Sequence, residues 1–113
     1  MIEFRYPALH ASHGGIWISD ADGTRGVGRG EAISRAAETP MIILNAPLVA
    51  QRLGYPELSG LDLLELFAFV YPARFVVPTP KGIATALDLD LPDEEADVAT
   101  MLRAAAAALV AQM

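Results

Sequence analysis

Cysteine is absent from this 113-residue chain, and basic residues are few and dispersed. Without cysteine the chain cannot form disulfides, thiolate zinc sites or iron–sulfur clusters of its own. Its eight Lys and Arg stand singly against fourteen Asp and Glu, which gives a net charge of −6. No basic stripe is therefore available to displace counterions from a phosphate backbone. We expect no autonomous binding of nucleic acid.

Long apolar runs are also absent. The sequence has no stretch of about 18 apolar residues, and its first ten residues lack the regions of a secretory signal. We therefore expect a cytoplasmic protein. Hydrophobic residues nevertheless make up 53% of the chain and charged residues 19%, which is typical of one well-buried domain over residues 1–113. The mean hydropathy of +0.35 is high for so small a domain and predicts apolar surface that meets a partner.

The first half of the chain alternates strand and helix signals. Residues 15–19 predict a strand, Asp22-Gly23 a hairpin turn and residues 24–27 the return strand. Residues 31–38 predict a helix that ends before Pro40, and the unbroken apolar run 41–44 predicts a central strand. In the next helix, Pro47 fits the first turn and Gly54 the C-terminal cap.

The second half is predominantly helical. Residues 61–72 predict the most hydrophobic helix, which we expect to be nearly buried. Residues 73–80 should be extended and residues 81–89 helical. The last helix is expected to begin with Asp90 as its cap and Pro92 in its first turn. Its apolar stripe should pack on the sheet and consists of Val98, Leu102, Ala105, Leu109 and Met113. Together these elements predict an α/β fold with a short mixed sheet and about four to five helices.

Two polar patterns precede the first predicted helix. His10 and His13 stand in a glycine-rich segment that we interpret as a loop, with solvated or capping roles. The metal-binding alternative would need Asp20 as a distant third ligand. The pattern Gly26-x-Gly28-x-Gly30 matches neither the dinucleotide fingerprint nor the P-loop, so we interpret it as a flexible turn rather than a phosphate site.

Asp20 and Asp22 are the sharper candidate for chemistry. Alternate side chains of an extended segment point the same way, so these two carboxylates can share a divalent cation. Two-metal phosphodiester hydrolysis needs about four converging carboxylates and usually a base. The other interpretation is that Asp22-Gly23 simply forms the hairpin turn. Of these two interpretations, we favour the hairpin turn.

Two motifs resemble those of the DnaQ-like (DEDD) exonucleases of the RNase H-like fold. In that family a strand ending in Asp-x-Glu precedes a return strand, a helix and a strand ending in His-Asn-Ala-x-Phe-Asp. Asp20-Ala21-Asp22 is similar to the first motif, and residues 44–49, LNAPLV, are similar to the second. The Asn-Ala pair is kept, but Leu44 stands where the family has His and Val49 where it has a metal-binding Asp.

The later motifs are weaker still. Residues 61–66, LDLLEL, resemble the family's Asp-Thr-Leu-x-Leu segment, whose Asp, here Asp62, is not a principal metal ligand. Of the final motif only Ala99-Thr100 survives, with Ala96 at the position of its Asp and Leu91 at that of its His. The resemblance therefore implies a shortened, degenerate exonuclease-like domain with a truncated RNase H-like layout.

Longer stretches resemble the N-terminal segment of some bacterial DinG-like ATP-dependent DNA helicases, relatives of the XPD-type superfamily 2 enzymes. They are HASHGGIWISDADGT, LNAPLVAQRLG and LDLLELFAFVYPARFVVPTPKGIATAL. The resemblance implies a role in DNA repair for the parent protein, with ATP, magnesium and an iron–sulfur cluster bound outside this chain. We expect no cofactor and no metal here, and DNA contact only through the parent protein.

The resulting hypothesis is a non-catalytic module that docks onto the helicase body of the same polypeptide, or onto a protein partner, with Phe67, Phe69 and Tyr71 near the rim of its apolar surface. One alternative is a reduced 3′-5′ exonuclease that uses Asp20, Asp22 and Asp62 or Glu65 with Mg²⁺ or Mn²⁺. It would take its last carboxylate from the out-of-register Glu95 or Asp97. Another alternative is a stand-alone protein that dimerises through the stripe of the C-terminal helix.

Overall fold

A computed structural model describes residues 6–113 and shows one five-stranded mixed sheet with five helices. The strands are β1 (Ala8–Ser12), β2 (Gly15–Asp20), β3 (Gly23–Val27), β4 (Met41–Ile43) and β5 (Gly60–Asp62). The helices are α1 (Arg29–Glu38), α2 (Ala46–Leu53), α3 (Leu63–Val70), α4 (Pro80–Ala86) and α5 (Glu95–Val110). The predicted α/β class, mixed sheet and number of helices are confirmed.

The strand order across the sheet is β3-β2-β1-β4-β5. β1 and β3 are both antiparallel to β2, and β4 is parallel to β1 and to β5. Four strands therefore share one direction and β2 alone is reversed. As a result the C-terminal ends of β1, β4 and β5 lie at one edge of the sheet, whereas β2 ends at the opposite edge.

The sheet separates two hydrophobic clusters. On one face α3, α4 and α5 cover Ala8 and Ile42, and on the other α1 and α2 cover Leu9 and Ile43. Neighbouring residues of a strand face opposite ways, so β1 and β4 each contribute to both clusters. All three residues of β4 are at most 1% exposed, which confirms that the apolar run at 41–44 is a central strand.

Two strands were missed from the sequence. The segment containing His10 is not a loop: it forms β1, the middle strand of the sheet, whose composition of Ala, Leu, His and Ser carries little β preference. Residues 60–62 form β5, although the apolar run from 61 onward predicted only helix. A short apolar run does not distinguish a buried strand from a buried helix by its pattern.

Several boundaries and one burial expectation were also wrong. α3 is not nearly buried, because only Leu63 and Phe67 are fully buried, Leu64, Leu66 and Val70 are partly buried against the core, and Phe69 is 72% exposed. α5 starts after Glu94 rather than at Asp90, and Pro92 precedes the helix. The Gly-x-Gly-x-Gly pattern is no loop, since it runs from β3 directly into α1.

The apolar stripe of α5 is largely internal. Val98, Leu102, Ala105 and Leu109 are each at most 8% exposed and pack in the core, while Met113 is exposed. These four side chains are therefore not available as a dimer surface in the folded chain. Within residues 6–113, no helix combines the length and the apolarity that crossing a bilayer requires.

Gly60 should be intolerant of a side chain. A Cβ at this position would collide with the carbonyl oxygen of Met41 on the neighbouring strand, so Gly60→Ala should lower the free energy of unfolding by about 2 kcal/mol. Urea unfolding measures it. Gly30→Ala is the matched control, because its Cβ would enter open space in α1 and should stabilise by about 0.5 kcal/mol. Equal effects of the two substitutions would contradict the tight β4–β5 approach.

Candidate functional site

The C-terminal edge of β1, β4 and β5 is the candidate site. In open α/β sheets, the crevice outside the carboxyl ends of parallel strands is where ligands commonly bind. Here the edge carries Ser12 at the end of β1, Leu44 and Asn45 after β4, and Asp62 at the end of β5. α2 and α3 begin at this edge, and the N-terminus of α5 reaches it through Glu95.

Asp62 is the buried acid of this edge. Its side chain is 7% exposed and accepts three backbone hydrogen bonds. Oδ1 accepts from Asn45 N and Leu64 N, both at 3.0 Å, and Oδ2 accepts from Ala46 N at 2.8 Å. An ionised carboxylate offers roughly four acceptor positions. Most of the acceptor positions of Asp62 therefore bind backbone N–H groups at the starts of α2 and α3.

The Asn-Ala pair has a structural role in the same junction. Asn45 adopts the left-handed conformation with φ of 65°, which Asn tolerates better than most residues. Its Oδ1 accepts weakly from Leu48 N at 3.4 Å, and Pro47 occupies the first turn of α2. The predicted roles of Pro47 and of Gly54, which caps the helix with φ of 66°, are confirmed.

His10 and Glu95 join β1 to the start of α5. The distance from His10 Nε2 to Glu95 Oε2 is 2.8 Å, and the His10 ring stacks on Trp17 at 5.9 Å between centroids. Hydrogen bonds from Ser12 and His10 lower the pKa of Glu95 below its usual value. His13 lies apart from this contact, in the turn between β1 and β2. The pairing joins residues 85 positions apart, so no local sequence signal announces it.

This arrangement is structural rather than nucleophilic. In a hydrolytic triad the histidine bridges the serine and the acid, whereas here His10 bonds Glu95 and, within residues 6–113, no hydrogen bond joins Ser12 to His10. Ser12 Oγ accepts from Gly14 N at 3.0 Å, which closes the turn. The contact between His10 and Glu95 therefore tethers α5 to β1.

The space left at this edge is small. A cleft of about 50 Å³ lies between β1 and α2, with Pro78 and Pro80 closing it. Arg52 borders it and donates from Nη1 to the carbonyl oxygen of Ala11 at 2.7 Å. Pockets for small organic ligands usually measure about 300 Å³ or more. The cleft accommodates a few water molecules and not a nucleotide.

Asp20 and Asp22 lie at the opposite edge of the sheet from Asp62. Asp20 Oδ1 accepts from Asp22 N at 2.9 Å and Asp20 pairs with Gly23, so the predicted hairpin is present but turns at Ala21-Asp22, one residue before the predicted Asp22-Gly23. Asp20 Oδ2 lies 3.4 Å from Arg35 Nη2 and 3.5 Å from Arg25 Nη1. Partial burial acts to raise the pKa of Asp20, but the bond from Asp22 and the two arginines outweigh it, and the pKa is lowered.

The structure therefore does not bring the candidate carboxylates together. Asp20 ends β2 and Asp22 follows it, whereas Asp62 ends β5, three strands away across the sheet, which is about 14 Å at the usual strand spacing. Glu65 is exposed on α3. His10 is likewise on a different strand from Asp20, bonded to Glu95 instead. Over residues 6–113 there is no group of three or more His, Asp or Glu side chains placed to hold a metal ion.

The predicted docking aromatics divide between core and surface. Phe67 is 1% exposed and belongs to the core, so its prediction as a docking residue was wrong. Tyr71 is half-buried, and the Arg74 guanidinium lies over its ring at 5.0 Å. Phe69 is 72% exposed as expected, and the sequence reading missed Phe75, which is 85% exposed, and Val77 at 49%.

No protein-family model, curated protein or solved structure matches the chain.

Asp62→Ala should be strongly destabilising. The substitution leaves three backbone N–H groups without their acceptor, which should lower the free energy of unfolding by about 3 kcal/mol. Urea unfolding followed by circular dichroism measures the change. Glu65→Ala removes an exposed acid from the same helix and should change stability by less than about 0.5 kcal/mol. A comparable loss from both variants would refute the capping role.

The Glu95 contact should make stability depend on acid pH. Because the folded state lowers the pKa of Glu95 from its usual 4.5, its contribution is complete above pH 4.5 and is lost as the pH falls through the lowered value. Glu95→Gln should therefore cost about 0.5 kcal/mol near pH 7, the order found for a half-exposed pair, and nothing near pH 2. Unfolding curves at both pH values test this, with Glu57→Gln as the control. A pH-independent cost would exclude the ionic contribution.

Proposed function

We propose that the chain is a non-catalytic docking module of a DinG-like ATP-dependent DNA helicase, built on a truncated RNase H-like layout. The sheet supports that layout. A three-stranded antiparallel meander is followed by α1 and then by two parallel strands, in the order β3-β2-β1-β4-β5 with β2 alone reversed. A strand, a return strand, a helix and a further strand, in this order along the chain, are what the resemblance to DnaQ-like exonucleases implies.

The observation that carries the non-catalytic proposal is the composition of the sheet edge. Metal-binding carboxylates that share ions must converge at one edge, and the second motif follows β4. The ends of β1 and β5 both adjoin that of β4, and of these two strands only β1 precedes β4 in the chain. The first motif of the family therefore corresponds in space to His10-Ala11-Ser12 and not to Asp20-Ala21-Asp22. This part of β1 contributes no carboxylate.

Apolar residues also stand at the positions of the Asp residues in the second and the final motif. Val49, at the place of the second-motif Asp, is 4% exposed and packs from α2 into the core. Ala96, at the place of the last Asp, lies in the first turn of α5. Its neighbour Glu95 reaches the edge but bonds His10. Protein contacts thus occupy the positions where the family holds metal ions.

The docking part of the proposal rests on exposed apolar side chains. Phe69, Phe75 and Val77 project from α3 and the segment that follows it. Large aromatic side chains at this exposure are enriched at the centres of protein interfaces, where each contributes strongly to affinity. Leu48, which is 37% exposed, lies on α2 at the other face of the sheet. It therefore serves as a control for an exposed apolar residue outside the proposed docking surface.

Removing the exposed aromatics should weaken docking. Phe69→Ser combined with Phe75→Ser should reduce the affinity for the helicase body about 30-fold or more, since truncating an interface hot spot costs at least about 2 kcal/mol. Calorimetric titration of the body with this chain measures the affinity. Leu48→Ser is the control and should bind as the original does. No binding by the original chain, or equal binding by all three proteins, would sink the proposal.

The two alternatives each face a specific obstacle. A reduced nuclease would need Asp20, Asp22 and Asp62 around shared metal ions, and the strand register separates the first two from the third. Dimerisation through the stripe of α5 would need side chains that the core already covers. The docking module is therefore the function that the geometry favours.

A further inference from the structure

The acidic excess of the chain is concentrated in residues 88–97. Six of the fourteen acids lie there, and no Lys or Arg occurs from residue 82 to residue 102. The other eight acids equal in number the eight Lys and Arg of the whole chain, so this one segment accounts for the net charge of −6. Its field attracts cations and repels a phosphate backbone.

The same segment forms one wall of an open groove of about 400 Å³. Leu89, Leu91 and Pro92 line that wall, and Met101 and Ala104 of α5 line the other side. Leu91 is 53% exposed although it is a large apolar side chain. Most of the groove surface is thus apolar and suits one or two large apolar side chains of a partner.

Two carboxylates at the rim are uncommitted. Within residues 6–113, Asp90 and Asp93 make no hydrogen bond and no ion pair, and both line the groove. Their neighbours are engaged, since Glu95 bonds His10 and Asp97 Oδ2 accepts from Glu94 N at 3.3 Å. The rim therefore offers two unneutralised charges beside an apolar floor.

We propose that this groove binds a cationic amphipathic segment of a partner protein. Apolar side chains of that segment would lie against Leu91 and Met101, and its Lys or Arg groups would pair with Asp90 and Asp93. Charge complementarity selects this occupant, because an acidic rim favours cations and an apolar floor favours a peptide over a bare ion. Only the identity of the partner, the helicase body, rests on the proposed function.

The probe for this groove is a fluorescein-labelled twelve-residue peptide with equal numbers of leucine and lysine. Fluorescence anisotropy with the whole chain should show binding that weakens as NaCl rises from 50 to 300 mM. A peptide of serine and lysine with the same charge should bind at least about tenfold more weakly, because it lacks apolar anchors.

Three variants locate the site. Asp90→Asn with Asp93→Asn should weaken binding about fivefold at 50 mM NaCl, the order expected for two exposed ion pairs. Ala104→Trp fills the groove without changing its charge and should also weaken binding. Glu38→Gln with Glu57→Gln removes the same charge from exposed positions that do not line the groove. That control should bind as the original chain does.

The outcomes separate the groove from the proposed function. If the double variant at Asp90 and Asp93 and the double variant at Glu38 and Glu57 weaken peptide binding equally, net charge alone explains the effect and the inference is overturned. Unchanged peptide binding by Ala104→Trp would overturn it as well. Peptide-induced association of two chains in light scattering would also overturn it. If the double variant at Asp90 and Asp93 binds the peptide more weakly but the helicase body does not bind the original chain, the groove stands and the proposed function fails. If this double variant binds the helicase body as tightly as the original chain does, the assignment of the groove to that partner fails instead.

Discussion

The carboxylate of Asp62 is the constraint on which the functional edge of this molecule depends. Two helices, α2 and α3, begin side by side there, and each leaves backbone N–H groups without intrahelical acceptors. Asp62 accepts from Asn45 and Ala46 at one junction and from Leu64 at the other. A single side chain at the end of β5 thereby fixes the position of both helices relative to β4.

The constraint also gives a structural role to Asn45 and Ala46, the pair on which the resemblance to the second exonuclease motif rests. Asn45 turns the chain through a left-handed conformation that presents two consecutive N–H groups to Asp62. A junction of this kind is needed to fold the sheet whether or not a metal ion binds nearby. Val49, one turn further on, needs only to fill the core. Asn45, Ala46 and Asp62 therefore have a structural role that is independent of metal binding.

The sequence predicted the elements whose signals are local. The hairpin between β2 and β3, the buried run of β4 and the ends of α2 at Pro47 and Gly54 each follow from the preferences of a few adjacent residues. β1 was missed because Ala-Leu-His-Ala-Ser is weak as a strand by itself and is held by pairing with β2 and β4. In the layout that we propose, the first motif therefore falls on β1 and not at the end of β2, where the sequence alone suggested it.

The candidate site was harder to predict because its contacts are distant in sequence. Glu95 belongs to α5 by helical pattern alone, and its bond to His10 follows only from the packing of α5 across β1. That bond has a further structural consequence. By fixing the first turn of α5 at β1, it determines where the preceding acidic segment lies, so that Leu91 and Pro92 run beside Met101 instead of extending into solvent. The contact at this edge thus also helps to organise the surface that we assign to a cationic partner.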